Sequence, residues 1–390
     1  MVSGTLFANG EAINAGRTSI DMPYGNEISV LFLTLRADFG GGPEHLWQLL
    51  LHAPASFRPY VACPEDYPYC ERFREIVGSD RLFTLPHRQF SIQRLWQLRS
   101  FCREQGITVL HSHGKGAGVY ARLLAMLTGL PCVHTFHGVH MNSYGPLKQQ
   151  AYRACEQCLS LFTHTGIAVS EGEKAKILEE RLIPIAKLRL IPNGVNIPAE
   201  TAIQPDAPAS PHTVVTLSRF DYPKNSTFLL DIASALNAKG RLGEFRFVAV
   251  GDGEDRHTVV RMAQEHGWSE AVVCPGATTQ PHAFFENALC YVSTSRWEGM
   301  PLAVLEAMAH GLPVVATDVI GNRDAVRHAA TGLLYAEGDA AAAADALCQL
   351  ADDAALRCSL GAEARAYVLA AHSAREMADK TFAVLQQACE

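Results

Sequence analysis

The sequence predicts an α/β protein built from two doubly wound parallel-sheet domains. Three observations carry that reading. Apolar runs of strand length alternate with segments of helical spacing, which implies parallel sheets covered by helices on both faces. The alternation stops once, in a stretch rich in Ala, Pro, Thr and Ser over 198–211, and then restarts. At 390 residues the chain also exceeds one ordinary core, so two domains are the prior.

In chain order, 1–26 is polar and without period, and reads as a disordered leader. Residues 28–35 form a mostly apolar run of strand length, Gly40-Gly41-Gly42-Pro43 a turn, and 44–52 a helix. Strands are expected at 60–62, 109–111, 132–136 and 166–169, with a helix over 92–104. These make a first domain over 27–197. After the linker at 198–211, strands are expected at 214–217, 245–250, 271–274, 290–292, 314–317 and 332–335, with a helix over 226–236, giving a second domain over 212–372. Ser373-Ala374-Arg375-Glu376 reads as a capping box that opens a last helix within 373–390.

Composition excludes several classes. Hydrophobic content of 48% and charged content of 19% describe a globular protein. A net charge of −7 argues against a general nucleic-acid binder. Eleven scattered cysteines suggest reduced, mostly buried thiols and a cytoplasmic setting. No signal peptide and no apolar run of membrane-spanning length is visible, which leaves peripheral attachment at the inner face of a membrane open.

The densest signal is the run from Ser295 to Pro313. Pro301 suits a first helical position, where its missing N–H costs nothing, and Gly311 and Pro313 suit a C-terminal stop. Leu302, Leu305, Met308 and Ala309 give a buried face, while Glu306 lies on another stripe and leans back toward the mouth, where Glu298 sits. The mouth, at Gly299, Met300, Pro301 and Leu302, also carries free N–H groups and the positive end of the helix dipole. Two carboxylates beside an anion site suit a nucleotide-sugar, whose diphosphate takes the N–H groups while its hydroxyls donate to the carboxylates.

The run resembles the retaining glycosyltransferases of family 4, with E-x7-E matched at Glu298 and Glu306. The resemblance implies the GT-B fold, two Rossmann-like domains facing across a cleft. It implies that the second domain takes the donor and the first takes the acceptor, and that the terminal helix packs back on the first domain. It also implies that Glu298 contacts the donor sugar and Glu306 the ribose. Arg219 and Lys224, in Ser218-Arg219-Phe220-Asp221-Tyr222-Pro223-Lys224, leave a strand end and match the family's diphosphate grip, with Ser218 in place of the usual Gly. Gly41 and Gly42 stand where the family loop meets donor phosphate, and His137 where it often has His-Gly near the reacting carbon. His113 is the candidate for acceptor contact.

Other motifs read more plainly. Gly251-Asp252-Gly253 is a tight turn, Asn193-Gly194-Val195-Asn196 a hinge, and Cys155 with Cys158 a buried pair on a helix rather than a metal site. Arg94, Arg99 and Arg103 near Trp96 suit a solvated face or anionic lipid head groups. Asp-x-Asp, a common holder of Mg²⁺ or Mn²⁺ in glycosyltransferases, is absent, so neither metal nor other cofactor is expected.

The expected activity is therefore transfer of a sugar from a nucleotide-sugar to a glycan or lipid-linked acceptor, with retention and without metal. Gly321-Asn322-Arg323-Asp324 looks like the version found in bacterial polysaccharide and O-antigen transferases. The rivals are an epimerase of the same fold, a dinucleotide-dependent oxidoreductase, against which the absent Gly-x-Gly-x-x-Gly counts, and a binding module without turnover.

Overall fold

The computed structural model describes residues 27–139, 141, 144–199 and 211–390. The leader at 1–26 and nearly all of the linker at 198–211 lie outside these residues.

The first unit runs β1 (Ile28–Leu33), α1 (Gly41–Leu51), β2 (Phe57–Cys63), α2 (Tyr69–Val77), β3 (Leu82–Thr84) and α3 (Ile92–Glu104). It continues with β4 (Val109–His113), α4 (Gly114–Thr128), β5 (Cys132–Thr135), α5 (Pro146–Ser160), β6 (Thr165–Ala168), α6 (Glu171–Glu179) and β7 (Leu188–Leu190). Its seven strands are all parallel, in the order β3-β2-β1-β4-β5-β6-β7.

The second unit runs β8 (His212–Leu217), α7 (Phe228–Ala238), β9 (Phe245–Val250), α8 (Arg256–Glu265), β10 (Val272–Gly276) and β11 (Cys290–Ser293). It continues with α9 (Leu302–Ala309), β12 (Val314–Thr317), α10 (Ile320–Ala325), β13 (Gly332–Tyr335), α11 (Ala340–Asp352) and α12 (Ala354–Ala371). Its six parallel strands are ordered β10-β9-β8-β11-β12-β13. In each sheet the winding reverses once, between β1 and β4 and between β8 and β11. Open α/β sheets bind ligands outside the strand ends at that reversal.

Burial on both faces explains the apolar strands. Val30 to Leu33 are fully buried, with Val30 and Phe32 in one cluster and Leu31 and Leu33 in another. α13 (Ala374–Cys389) leaves the second unit and completes the first core, with Met377, Ala378, Phe382 and Leu385 buried against β1, β2 and α1.

Several expectations change in detail. Gly41 and Gly42 are the first residues of α1 rather than a loop, so their N–H groups belong to a helix mouth. Pro301 is the N-cap of α9 and Leu302 its first residue. That helix is buried almost all round, with Val304 and Ala307 inside as well, because it lies between β11, β12 and α12. Ser373 caps α13 by position, but its side chain makes no capping bond. Cys155 and Cys158 are exposed, which overturns the buried pair. α5 instead turns Glu156, Leu159 and Ser160 inward, and Glu156 meets buried Arg122 in an ion pair of 2.6 Å.

Candidate active site in the interdomain cleft

A cleft of about 1440 Å³ separates the units and is lined by both, at the carboxyl ends of β1, β4, β8 and β11. Loops leave the sheets there because strand hydrogen bonding ends while the chain must still reach the next helix.

On the second unit, two loops are stitched together. Thr294 Oγ1 donates to the Lys224 carbonyl at 2.9 Å, and the Arg296 N–H donates to the Pro223 carbonyl at 2.8 Å. The stitching brings Lys224 Nζ to 2.5 Å from Glu298 Oε1, which also accepts from Ser295 Oγ at 2.7 Å. Arg219 is held by Asp221 at 2.7 Å. A β-carbon on Gly40 would stand 3.3 Å from Arg219 Nη1, so the start of α1 meets this arginine across the cleft. Gly251 packs so closely on the Ser218 carbonyl that a β-carbon would lie 1.9 Å from it, which gives that turn a reason for its glycine.

α9 opens at this point. No side chain caps it, and its first bond is Leu305 N–H to the Pro301 carbonyl, so the N–H groups of Leu302, Ala303 and Val304 have no partner within the helix. Gly299, Met300 and Pro301 line the same mouth. Glu306 follows on the cleft side, 3.7 Å from His282 Nε2, which that carboxylate raises above the usual histidine range.

Facing it from the first unit is Glu44, which sequence reasoning did not single out. Glu44 accepts from Tyr69 Oη at 2.5 Å and Gln48 Nε2 at 2.6 Å. Burial raises its carboxyl, and the charge of Glu306 raises it further. The only signal in sequence was an acidic residue in the first turn of α1, an ordinary feature of helices.

His137 and His113 also lie on the first unit's wall of the cleft. His113 ends β4, and His113 Nδ1 lies 3.1 Å from His137 Nε2. His137 and Gly138 both have positive φ, at 58° and 102°, so the chain turns sharply after β5. The buried Glu173 carboxylate holds that turn, accepting from the Gly138 and Val169 N–H groups. A β-carbon on Gly299 would fall 2.9 Å from the Gly138 nitrogen, so the two units touch backbone to backbone beside Glu298.

Burial holds His137 and His113 well below the usual range, and His45 at about 4, so these imidazoles are neutral near pH 7. Asn193 ties the units together from the segment read as a hinge. Its Oδ1 faces His45 Nδ1 at 3.0 Å, and its Nδ2 donates to the Met300 carbonyl at 2.8 Å. Its segment was read only as a hinge, because nothing near it in the chain shows that His45 and Met300 stand on either side of Asn193. One cleft thus brings together Glu298, Glu306, Arg219, Lys224, His137, His113, Gly41 and Gly42.

Two family models match the chain. "Glycosyl transferases group 1" matches residues 200–367, and "Glycosyltransferase Family 4" matches 39–198. A putative glycosyltransferase of Bacillus subtilis, EpsD, is 30% identical over 77% of this chain and 84% of its own length. An Escherichia coli UDP-Gal:alpha-D-GlcNAc-diphosphoundecaprenol alpha-1,3-galactosyltransferase is 26% identical over 76% of this chain and 80% of its own length. Among solved structures, Anabaena Alr3699/HepE in complex with UDP-glucose superposes with a TM-score of 0.80 at 18% identity, covering 92% of this chain and all of its own. The two facing sheets are the GT-B fold.

Proposed function

The chain belongs to the glycosyltransferases, and from that premise we propose that it moves a hexose from a nucleotide-diphosphate donor to a hydroxyl of a lipid-linked or polysaccharide glycan, with retention and without a metal ion. The observation that carries the reading is the meeting of Lys224, Glu298 and the open mouth of α9 in one cleft with His137.

In this reading the donor diphosphate lies over the N–H groups at the mouth of α9 and beside Arg219 and Lys224. Glu306 accepts from the ribose and Glu298 from the sugar. His137 and Gly138 approach the anomeric carbon from the first unit, and His113 faces the acceptor. The bond between that carbon and the diphosphate oxygen breaks, the acceptor oxygen bonds to the carbon, and the acceptor's proton passes to the departing diphosphate. Negative charge grows on the diphosphate as the bond breaks, and fixed cations and helix dipoles stabilise that charge without reorganising. The galactosyltransferase relative makes a UDP-hexose and a diphosphate-linked lipid acceptor the first pair to try. The absence of Asp-x-Asp supports metal independence.

The test is release of free nucleotide diphosphate from several nucleotide-sugars, with and without acceptor and with excess EDTA, and NMR of the product's anomeric proton. We expect acceptor-dependent release that survives EDTA and a product that keeps the donor's configuration. Release without acceptor points to a hydrolase, conversion of the donor without acceptor and without release points to an epimerase, and an inverted product overturns retention.

Peripheral membrane contact belongs to the same proposal. Phe90, Ile92 and Trp96 are exposed together at the start of α3, beside Arg94, Arg99 and Arg103, in a chain of net charge −7. An apolar edge flanked by arginines suits an anionic lipid surface. Co-sedimentation with vesicles containing phosphatidylglycerol should fall when Trp96 and Ile92 are both changed to Ser. Unchanged sedimentation removes this surface from the proposal.

A further inference from the structure

His113 and His137, on the wall of the cleft, cluster with His45, a buried histidine that the proposed transfer does not use. One ring nitrogen from each of His45, His113 and His137 lies within 4.8 Å of one from each of the others. The rings come from three elements, namely α1, β4 and the turn after β5, so the grouping is tertiary and no local sequence pattern produces it.

The tautomer of His45 follows from its neighbour. Asn193 Nδ2 donates to the Met300 carbonyl, which assigns the amide oxygen to the side facing His45 Nδ1. His45 Nδ1 must then carry the proton and donate, which leaves the Nε2 lone pair free to bind. An imidazole fixed by an oxygen acceptor on its other nitrogen is the arrangement that orients metal-ligating histidines. His113 Nε2 is buried with no hydrogen-bond partner among the described residues, so nothing there fixes the ring's tautomer, and Nε2 can keep the proton while Nδ1 turns its lone pair to an ion. His137, held by positive φ and by Glu173 on the next residue, is aimed by its backbone. Two nitrogens on one tetrahedral ion stand about 3.4 Å apart at bond lengths of about 2.0–2.1 Å. His113 Nδ1 and His137 Nε2, at 3.1 Å, are already near that spacing, and no pair of the three ligand nitrogens needs to close by more than about 1.4 Å.

We propose that His45, His113 and His137 form a three-histidine site for one transition-metal dication of the zinc class, and that the bound ion inhibits transfer by occupying the wall that meets the sugar. Neutral imidazoles select Zn²⁺, Co²⁺, Ni²⁺ or Cu²⁺ over Mg²⁺ and Ca²⁺, which take oxygen ligands. His113 and His137 line the cleft, so an ion held by them would sit at its wall. The site is therefore consistent with turnover that needs no metal, since the ion is an inhibitor there and not a cofactor. Binding stands independently of the transferase reading, and only the inhibitory consequence rests on it.

The test is a Co²⁺ titration of the full chain followed by visible absorption, with Zn²⁺ as competitor. Cys155 and Cys158 are first changed to Ser, so that the exposed thiol pair cannot supply a second site. We expect one equivalent of Co²⁺ with d–d bands of tetrahedral type, no thiolate charge-transfer band, displacement by Zn²⁺ and no displacement by Mg²⁺. His45→Gln and His113→Gln should each weaken binding by at least about tenfold, and Asn193→Ala by about 10–100-fold as a loss of outer-shell support. Thermal unfolding checks that each variant is folded, and the titration with all three histidines intact needs only the two cysteine changes. Absence of stoichiometric binding, or binding unchanged in both histidine variants, overturns the site. Bound Zn²⁺ that leaves donor turnover unchanged overturns the inhibitory role.

Discussion

At the scale of single residues, the cleft is organised by charges already held in place. Lys224 is paired with Glu298 at 2.5 Å, so removing it unsettles both the diphosphate side and the sugar side of the site. Lys224→Ala should lower kcat by about 10²–10³, the scale of losing one preorganised charge-stabilising donor, with a smaller effect on donor affinity. Steady-state kinetics beside donor calorimetry separates the two, and near wild-type kcat would end the charge-clamp reading. Glu173 gives a pH prediction. Burial pushes its carboxyl up to about 7, against N–H groups from Val169 and Gly138 that pull it down. The folded state keeps a proton there that the unfolded chain releases near pH 4.5. The stability tied to that proton is full below pH 4.5 and is lost as pH rises through 7. The Tm of the wild type relative to Glu173→Gln should therefore fall between pH 5 and 7.5. A flat difference would mean that Glu173 is ionised throughout.

At the scale of elements, glycines decide how closely backbones approach. Gly299, before α9, leaves no room for a β-carbon against the turn at Gly138, and the atoms in the way are backbone rather than a movable side chain. Gly299→Ala should cost about 1–3 kcal/mol by overpacking and should reduce kcat, because relief requires the Gly138 turn and Glu298 to part. Gly42, in the first turn of α1, has nothing within 4 Å of its would-be β-carbon, so Gly42→Ala should leave stability level or slightly raised. Thermal unfolding of the two variants makes the comparison. Equal stability in both would show that the units do not meet as closely as at Gly138.

At the scale of the whole molecule, the last helix binds the end of the chain to its beginning. Phe382 in α13 is buried, with its ring 4.8 Å from Phe57 and 6.3 Å from Phe32 on β2 and β1. Phe382→Ala should destabilise the first unit by about 3–5 kcal/mol. Urea unfolding followed by Trp47 and Trp96 fluorescence should report the loss there. A shift smaller than about 1 kcal/mol would mean that α13 is a loose appendage.

Sequence alone fixed what depends on local periodicity and on residues close in the chain. The strands over 245–250, 314–317 and 332–335 and the helix over 92–104 coincide with the observed elements, because their apolar patterns are set by burial on defined faces. Glu298 and Glu306 were legible as a pair because they stand in one short stretch, Glu298 just before the mouth of α9 and Glu306 within the helix. Tertiary structure decided the rest. Glu44 opposite Glu306, Asn193 between His45 and Met300, and the three-histidine cluster each join residues far apart in the chain. α2 and α4 were not foreseen, and on α5, which was expected as a helix, the exposure of Cys155 and Cys158 was misread, because an isolated helical pattern does not say which face its neighbours will cover. A side chain's chemistry depends on its surroundings, and those surroundings are supplied by other strands and helices that only the folded chain brings near.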